Sequence, residues 1–121
     1  MDILNDSNIV LMSKLLDLTA AKNKVIANNI ANVNTPGYNK LEVNFEEELQ
    51  KAVRNGADIE KIHNIEGKIS MSNVPAKGNN GNNVDMDKEM IEFFKTSDKH
   101  NIVLELVSKN FNSLINAIQG R

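Results

Sequence analysis

The sequence has no cysteine, no tryptophan and few other aromatic residues, and these absences limit how the chain can be stabilised. Without cysteine the chain can form neither a disulfide bond nor a thiolate metal site. Four phenylalanines and one tyrosine are the only aromatic side chains among 121 residues. The core of a domain of this size usually contains more aromatic bulk. The shortage is therefore a first indication that other chains complete the burial of apolar surface.

The sequence also lacks a dominant charge and a long apolar run. It has 14 basic and 16 acidic residues, a net charge of -2 at pH 7, which argues against a nucleic-acid or anionic-membrane partner. No apolar run is long enough to span a bilayer. The first ten residues contain acids where a Sec-type signal peptide would have bases. We therefore expect no nucleic-acid partner, no membrane span and no Sec signal.

Patterns typical of catalysis or ligand binding are absent as well. The two histidines, His63 and His100, have no neighbouring arrangement of acid and nucleophile. The acidic run 46–48 would point in different directions on a helix, which favours a solvated face over a cation site. The glycine- and asparagine-rich segment 78–81 lacks the lysine of a phosphate-binding loop. We expect no enzyme activity, no metal site and no cofactor.

Apolar periodicity is strong at both ends of the chain. The spacing predicts a helix from about Asn5 to Asn34 and a second from near Asp85 to the end, with Asp85 and Asp87 suited to its N-cap and first turn. Each helix has a seam of alternating three- and four-residue steps. The first seam is Met12, Leu16, Thr19, Asn23, Ile26, Ile30 and Val33. The second is Met90, Phe93, Ser97, His100, Leu104, Val107, Phe111, Leu114 and Ile118. Both helices have further apolar rows, so each has more contact surface than one partner helix covers.

The segment between the long helices has weaker signals. Residues 35–38, Thr-Pro-Gly-Tyr, predict a type II turn with glycine at the position that needs a positive φ. Phe45, Leu49 and Val53 recur every four residues and predict a short helix over 43–54. Residues 57–75 show no sustained period, and 76–83 is typical of a flexible loop.

These patterns predict an all-α fold in which the long N- and C-terminal helices pair as a coiled coil. The middle of the chain is expected to hold a short helix and loops. We expect a single domain over 1–121, with the N-terminal helix and turn at 1–36, the short helix and loops at 37–83, and the C-terminal helix at 84–121. The alternative to assembly with other chains is an isolated antiparallel helical hairpin.

Asparagines continue one apolar row of the first helix. Asn28, Asn29 and Asn32 continue the second apolar row of that helix, although asparagine is a mediocre helix former. The apolar members of this row are Leu11, Leu18 and Val25. A buried asparagine selects its partner, because a misplaced amide is left without hydrogen bonds. We interpret the row as a specificity surface between subunits. The alternative is a frayed helix end with solvated amides.

Two stretches of the sequence resemble a known family. The segment ANNIANVNTPGY, Ala27–Tyr38, resembles the N-terminal signature of flagellar rod and hook proteins. The segments NFEEEL, 44–49, and GNNVDMDKEM, Gly81–Met90, are similar to the proximal rod proteins of the FlgB type, as is the length. The FlgC type is usually somewhat longer. The resemblance covers roughly 5–50 and 81–120, and it departs from the family at 93–96, where small or polar residues are more usual.

The resemblance implies a structural subunit of the proximal rod in the bacterial flagellar basal body. Such a subunit polymerises through its terminal helices around the export channel and transmits torque from the MS ring. Implied partners are further copies of the chain, rod proteins of the FlgC, FlgF and FlgG types, the adaptor FliE, the MS ring and the flagellar export gate. The resemblance also implies export in an unfolded state and assembly in the periplasmic space. We expect inter-subunit contacts at Asn28, Asn29, Asn32, Pro36, Gly37, Tyr38, Leu104 and Phe111.

Two alternatives remain open. Phe45 and Leu49 resemble the short Phe-x-x-x-hydrophobic element by which early flagellar export substrates are recognised, but the same pair could instead dock the short helix onto the long ones. The whole chain could also be a soluble helical secretion chaperone or adaptor that forms a closed oligomer. A chaperone should be folded alone, whereas a rod subunit should be poorly ordered alone and should polymerise.

Overall fold

The computed structural model of the chain describes residues 6–56 and 58–120. The elements follow in the order α1 (Asp6–Ala31), β1 (Leu41–Asn44), α2 (Glu46–Arg54), α3 (Ile59–His63), β2 (Lys68–Met71) and α4 (Met86–Ile118). The two long helices, α1 and α4, pack against each other, which confirms the predicted pairing. Within the described ranges, no helix is both long and apolar enough to cross a membrane.

The first long helix ends at Ala31, three residues before its predicted end at Asn34; its predicted start at Asn5 lies outside the described residues. The helix tightens as it ends, because the backbone N–H of Val33 donates to the carbonyl of Ile30 at 3.2 Å. The predicted turn at 35–38 is confirmed. The backbone N–H of Tyr38 donates to the carbonyl of Thr35 at 3.3 Å, and Gly37 has a φ of 72°.

The second long helix begins at Met86, and its predicted cap is confirmed. The side chain of Asp85 accepts hydrogen bonds from the backbone N–H groups of Asp87 at 3.1 Å and Lys88 at 3.4 Å. The Lys77 ammonium donates to the same carboxylate at 2.9 Å. This hydrogen bond, followed by the bond from the Lys88 backbone, holds the pKa of Asp85 below its usual range, while the Asp85 carboxylate raises the pKa of Lys77.

The predicted seam of α4 is correct in part. His100 and Val107 are half-buried as expected. At three other positions of the seam, the more buried side chain belongs to the residue one position earlier in the sequence than the predicted residue. These earlier residues are Thr96, Val103 and Asn110. Leu104 and Phe111, which the seam assigned to the contact with α1, are 47% and 63% exposed.

Two polar pairs between α1 and α4 explain why α4 is rotated about its axis relative to the predicted seam. The Oγ1 of Thr19 lies 2.8 Å from Nδ1 of His100, and the Nδ2 of Asn23 donates to Oγ of Ser97 at 2.9 Å. Because these groups need partners once they are covered, they set which side of α4 faces α1. The apolar row that contains Leu104 is therefore turned outwards.

The middle of the chain contains a strand pair that the all-α prediction missed. β1 and β2 are antiparallel, with Leu41 opposite Met71 and Asn44 opposite Lys68. Apolar and polar residues alternate over 41–45, and Val43 and Phe45 are buried. This two-residue period is that of a strand, so the short helix predicted over 43–54 begins only at Glu46.

The segment 57–75, whose sequence shows no sustained period, contains α3 as well as β2. Asp58 caps α3, because its side chain accepts from the backbone N–H of Lys61 at 2.9 Å. Ile62 and Ile65 are both buried. These two residues are the reason that a helix of only one turn is held in place.

The hydrophobic core lies where α1 meets β1 and α2. Its buried members are Leu18, Val43, Phe45, Leu49 and Ile65. Gly67 approaches this core closely: a Cβ there would lie 2.9 Å from a Val43 methyl group, so a larger residue would displace the strand. Among the described residues, α4 contributes no member to this cluster. The core therefore secures α1 and the middle segment, while α4 packs against α1 outside this cluster.

Candidate functional site

Asn29 is at the centre of a buried polar cluster between the two long helices. Its side chain is 1% exposed and makes four hydrogen bonds. Its Oδ1 accepts from the Tyr38 hydroxyl at 2.8 Å and from the backbone N–H of Leu41 at 3.0 Å. Its Nδ2 donates to the Leu41 carbonyl at 2.8 Å and to Oε2 of Glu89 at 3.2 Å. One amide thus joins α1, the turn, β1 and α4.

Glu89 is a buried carboxylate on α4, and Lys40 neutralises it. The Lys40 ammonium donates to Oε1 of Glu89 at 3.0 Å, and the two side chains are 18% and 4% exposed. Because Asn29 donates to the other oxygen, both oxygens of the carboxylate have a partner. A buried charge is tolerated when it is paired and hydrogen-bonded in this way, and the loss of one partner is then costly.

Asn82 caps the end of α1 from the other side of the molecule. Its buried Nδ2 lies within hydrogen-bond distance of the carbonyls of Asn32 at 2.7 Å, Val33 at 3.0 Å and Thr35 at 2.8 Å. Its Oδ1 accepts from the backbone N–H of Val84 at 2.8 Å. The last carbonyls of a helix have no partner within the helix, and here an asparagine just before α4 supplies one.

Asn83 performs the same task for the strand region. Its Oδ1 accepts from the backbone N–H of Lys40 at 2.6 Å, and its Nδ2 donates to Oδ1 of Asn39 at 2.6 Å and to the carbonyl of Val74 at 2.8 Å. Both Asn82 and Asn83 are buried. The prediction that 76–83 is a flexible loop is therefore wrong for its last two residues, because each amide fixes several backbone groups.

The two segments that carry the family resemblance, 27–38 and 81–90, are in direct contact. The backbone N–H of Asn83 donates to the carbonyl of Tyr38 at 3.4 Å, and just before the second segment the carbonyl of Asn80 accepts from the backbone N–H of Gly37 at 2.7 Å. A Cβ at Gly81, where φ is 74°, would lie 3.5 Å from the Cα of Gly37. The glycines thus let the two turns approach, and the asparagines and Glu89 bind them together. The cluster fixes the register of α1 against α4.

The expected inter-subunit residues are distributed between this cluster and the surface. Asn29 is enclosed within the chain, while Asn28, Pro36 and Gly37 are exposed, and Asn32 and Tyr38 are half-buried. Asn28 donates to the Tyr38 hydroxyl at 3.0 Å, and the Nδ2 of Asn32 donates to the carbonyl of Asn28 at 2.8 Å. These bonds present an ordered polar surface around the end of α1. Contact with another subunit there stays a prediction.

Phe45 and Leu49, the expected export element, are both buried in the hydrophobic core of the folded chain. Phe45 lies at the N-cap position of α2, and the Lys22 ammonium lies 5.9 Å from the centre of its ring. The same ammonium donates to Glu46 at 2.7 Å. The folded structure thus gives the pair a packing role, and recognition during export stays a prediction about the unfolded chain.

The surface of α4 is rich in exposed apolar side chains, each at least 43% exposed. They are Ile91, Phe94, Ile102, Leu104, Leu106, Phe111, Leu114, Ile115 and Ile118. Soluble monomeric proteins rarely expose an apolar surface of this extent on one element. Where such a surface is found, it usually marks a site of contact with a partner. An open groove of about 600 Å³ also lies between α1, α2 and α4, with Leu11, Leu15, Leu49, Val53 and Ile102 among its lining residues.

Sequence reasoning missed Lys40, Asn82, Asn83 and Glu89. A signal existed for Glu89 only. It stands four, seven and eleven residues before Phe93, Thr96 and His100, so helical spacing places it on the face that meets α1. Asn82 and Asn83 bind groups 43 to 50 residues away as well as nearby loop residues, and Lys40 binds the Glu89 carboxylate 49 residues away. No local pattern in the sequence indicates such partners.

The described residues contain no group of three histidines and acids placed to hold a metal ion. His63 is exposed, and His100 is engaged with Thr19 in the helix contact. The clusters that exist are amides and one ion pair that bind backbone groups. Their chemistry is that of structural attachment.

Known proteins of one family are similar to this chain. Residues 16–39 match the family described as "Flagella basal body rod protein". The flagellar basal body rod protein FlgB of Bacillus subtilis is 36% identical over 107 residues, covering 82% of this chain and 83% of the relative. The FlgB proteins of Escherichia coli and Borrelia hermsii are each 28% identical, over 95% and 90% of this chain and 95% and 93% of theirs. The matches thus extend well beyond α1 and its turn.

Proposed function

The chain belongs to the FlgB family of flagellar basal body rod proteins, and from this premise we propose that it polymerises through its terminal helices to build the proximal rod. It is a structural protein of the bacterial flagellum that serves motility and assembles with other rod proteins. The proposed rod surrounds the export channel and carries torque from the MS ring. The exposed apolar surface of α4 is the observation that best supports polymerisation, because an apolar surface of this extent marks a site of contact with a partner.

The distribution of exposed apolar residues favours open assembly over a closed dimer. Ile91 and Leu104, for example, lie on different sides of α4, and both are exposed. One symmetric partner would cover one side only. Contacts between different surfaces repeat from subunit to subunit and generate a helical array unless the rotation happens to close a ring.

The buried polar cluster supports a role in carrying torque. Asn29, Lys40 and Glu89 tie the end of α1 and the strand region to the start of α4. A subunit that transmits load needs such fixed connections between its helices, since packing alone permits them to slide. We assign to the cluster the task of keeping α1 and α4 in register within the rod.

Inter-subunit contact is proposed at the surface around the end of α1 and along α4. Asn28, Asn32, Pro36, Gly37 and Tyr38 are at least partly exposed there. Leu104 and Phe111 are exposed on α4. Asn29 contributes indirectly, because its bonds order Tyr38 and β1 beneath that surface.

The proposed setting is the base of the flagellum in the periplasmic space. The chain is proposed to leave the cytoplasm unfolded through the flagellar export gate. At the base of the flagellum it would meet the adaptor FliE, the MS ring and rod proteins of the FlgC, FlgF and FlgG types. Family membership is the support for these partners.

Sedimentation of the purified chain over a concentration series tests the proposal. We expect the sedimentation coefficient to rise continuously with concentration, because open assembly has no final size. Helicity measured by circular dichroism should rise along with it, as α4 gains partners. A constant small oligomer that is fully helical at every concentration would contradict the proposal and would favour a secretion chaperone.

A variant of the exposed asparagines tests the contact at the end of α1. Asn28→Leu with Asn32→Leu removes two surface amides, and leaves Asn29 and the fold intact. We expect unchanged helicity at low concentration but reduced incorporation into basal bodies and reduced swimming. A double variant that swims normally would exclude these amides from the subunit contact.

A further inference from the structure

Two asparagines in the chain are followed directly by glycine, Asn55 by Gly56 and Asn80 by Gly81. Such a pair is chemically labile, because glycine has no Cβ to shield its backbone nitrogen from the neighbouring side-chain amide. All four residues are exposed, and φ is 61° at Gly56 and 74° at Gly81. The two sites thus carry the same reactive groups, and they differ in how the fold holds them.

The reaction at such a pair is an attack of the backbone on the side chain. The glycine nitrogen loses its proton to a base in solution and forms a bond to Cγ of the asparagine. The bond between Cγ and Nδ2 breaks, and Nδ2 takes up a proton and leaves as ammonia. Water then opens the cyclic imide at either of its carbonyls, which gives aspartate or isoaspartate. Water is the only co-reactant, and no oxidation or reduction takes place.

Ring closure requires the peptide plane after the asparagine to rotate. At Asn55 ψ is 5°, which places the Gly56 nitrogen on the far side of the Cα–C bond from Cβ. The nitrogen must swing towards Cγ before it can attack, so a hydrogen bond that fixes this plane must break first. The bonds that hold the plane therefore set how fast each site reacts.

In the described ranges, a single backbone hydrogen bond holds the plane after Asn55. The backbone N–H of Gly56 donates to the carbonyl of Val53 at 3.2 Å, at the end of α2. Among the same residues, the Asn55 side chain forms no hydrogen bond. The end of a helix opens at little cost in free energy. Asn55 can therefore reach the reactive geometry while the rest of the chain stays folded.

The plane after Asn80 is held more firmly. The Asn80 carbonyl accepts from the backbone N–H of Gly37 at 2.7 Å, and the Asn80 Oδ1 accepts from the backbone N–H of Asn82 at 3.2 Å. Asn82 is buried, and its Nδ2 lies within hydrogen-bond distance of three carbonyls at the end of α1. We call this set of bonds the turn contact. Rotation at Asn80 would break its first two bonds and displace the buried amide.

We propose that Asn55 is a deamidation site of the folded chain and that the turn contact protects Asn80. The inference concerns the chemistry of the chain itself, so it stands or falls independently of the proposed rod function. It also assigns a second task to the polar contacts between the long helices. They shield the one Asn-Gly pair whose modification would disturb the attachment of α1 to α4.

Deamidation at Asn55 changes the connection between α2 and α3. It places a carboxylate at the C-terminal end of α2, where the helix dipole disfavours a negative charge. Isoaspartate also adds a methylene to the main chain, three residues before Asp58, which caps α3. The modified chain should therefore hold these two short helices less firmly, while α1 and α4 keep their register.

Reaction rates at the two sites, measured in one sample, test the inference. The full chain is incubated at mildly alkaline pH in sucrose, where circular dichroism verifies the helices, and separately in guanidinium chloride. Peptide mass mapping follows deamidation at Asn55 and Asn80. In denaturant both sites should react at nearly the same rate. In the folded chain Asn55 should react about tenfold faster, because more hydrogen bonds must open at Asn80. Equal rates in the folded chain, or a faster reaction at Asn80, would overturn the inference.

A matched pair of variants gives an independent readout. Glutamine closes the corresponding ring far more slowly, so Asn55→Gln removes one site and Asn80→Gln removes the other. An isoaspartyl methyltransferase with labelled S-adenosylmethionine counts the isoaspartate in each chain after incubation in sucrose. We expect Asn55→Gln to lower methyl uptake about tenfold and Asn80→Gln to leave it unchanged. An unchanged uptake in Asn55→Gln, or an equal loss in both variants, would contradict the inference.

Discussion

Replacing Asn29 by aspartate should destabilise the chain far more than its small change in shape suggests. Asn29→Asp removes the Nδ2 donor, which forms bonds of 2.8 Å to the Leu41 carbonyl and 3.2 Å to the Glu89 carboxylate. A buried bond between neutral groups contributes about 1 kcal/mol, and a bond to a charged group about 2 kcal/mol. The new carboxylate also faces an existing one. We expect a loss of about 3 kcal/mol or more at neutral pH.

Urea unfolding measures this loss. Far-UV circular dichroism of the full chain, in a stabilising osmolyte such as sucrose, gives the midpoint for each variant. With a slope of about 1.5 kcal/mol per molar urea, the midpoint should fall by about 2 M. Asn28→Asp is the matched control, because that side chain is exposed and the change removes only the exposed donation from its Nδ2 to the Tyr38 hydroxyl. Its midpoint should move little.

The pH dependence of the loss in stability of Asn29→Asp distinguishes an effect of the introduced charge from a simple disruption of packing. Burial beside Glu89 raises the folded-state pKa of the introduced carboxyl above its unfolded value. The penalty is then full above the folded-state pKa and is relieved as pH falls towards about 4, where the carboxyl binds a proton and can donate again. A midpoint equal to that of the natural chain at neutral pH, or a deficit that does not change with pH, would refute the cluster's role.

Three further predictions follow from the fold. Deletion of 85–121 should abolish incorporation into basal bodies, since α1 loses its partner helix, and basal bodies that contain the truncated chain would contradict the pairing. Phe45→Ala with Leu49→Ala should block export if the pair is a recognition element, whereas normal export followed by failed assembly would assign it to packing, as its burial suggests. Burial raises the pKa of Glu46, but the hydrogen bond from Lys22, the backbone hydrogen bonds to the carboxylate and the Lys22 charge together outweigh it and leave the pKa below its usual range. The Lys22–Glu46 ion pair therefore stabilises the fold above the unfolded-state pKa of Glu46. It ceases to do so as the pH falls through the folded-state pKa of Glu46. Lys22→Met should thus lower the urea midpoint at pH 7 but not near pH 3, and an equal deficit at both would rule the ion pair out.

The elements that sequence reasoning predicted well are those with local causes. The period of the long helices, the turn at 35–38 and the cap at Asp85 each depend on residues within a few positions of one another. The strand over 41–44 also had a local signal, an alternation that continues to Phe45, but the four-residue spacing of Phe45, Leu49 and Val53 concealed it. The strand β2 had none, because all four of its residues are exposed.

The polar cluster could not be derived in the same way. Asn28, Asn29 and Asn32 form one row in sequence, yet one is enclosed and two remain accessible to solvent. The difference arises from Leu41 and Glu89, which lie 12 and 60 residues from Asn29. An amide binds any backbone group that the fold brings to it, so its partners become visible only once the chain has its tertiary arrangement.

The location of the chain in the cell tests the central claim most directly. Immunogold labelling of isolated basal bodies, with an antibody to the chain, reports whether it is part of the rod. We predict label on the rod, close to the MS ring, in basal bodies that have been washed free of soluble protein. Label that is absent from the rod, with the chain recovered only as a small closed oligomer from the cytoplasm, would contradict the account.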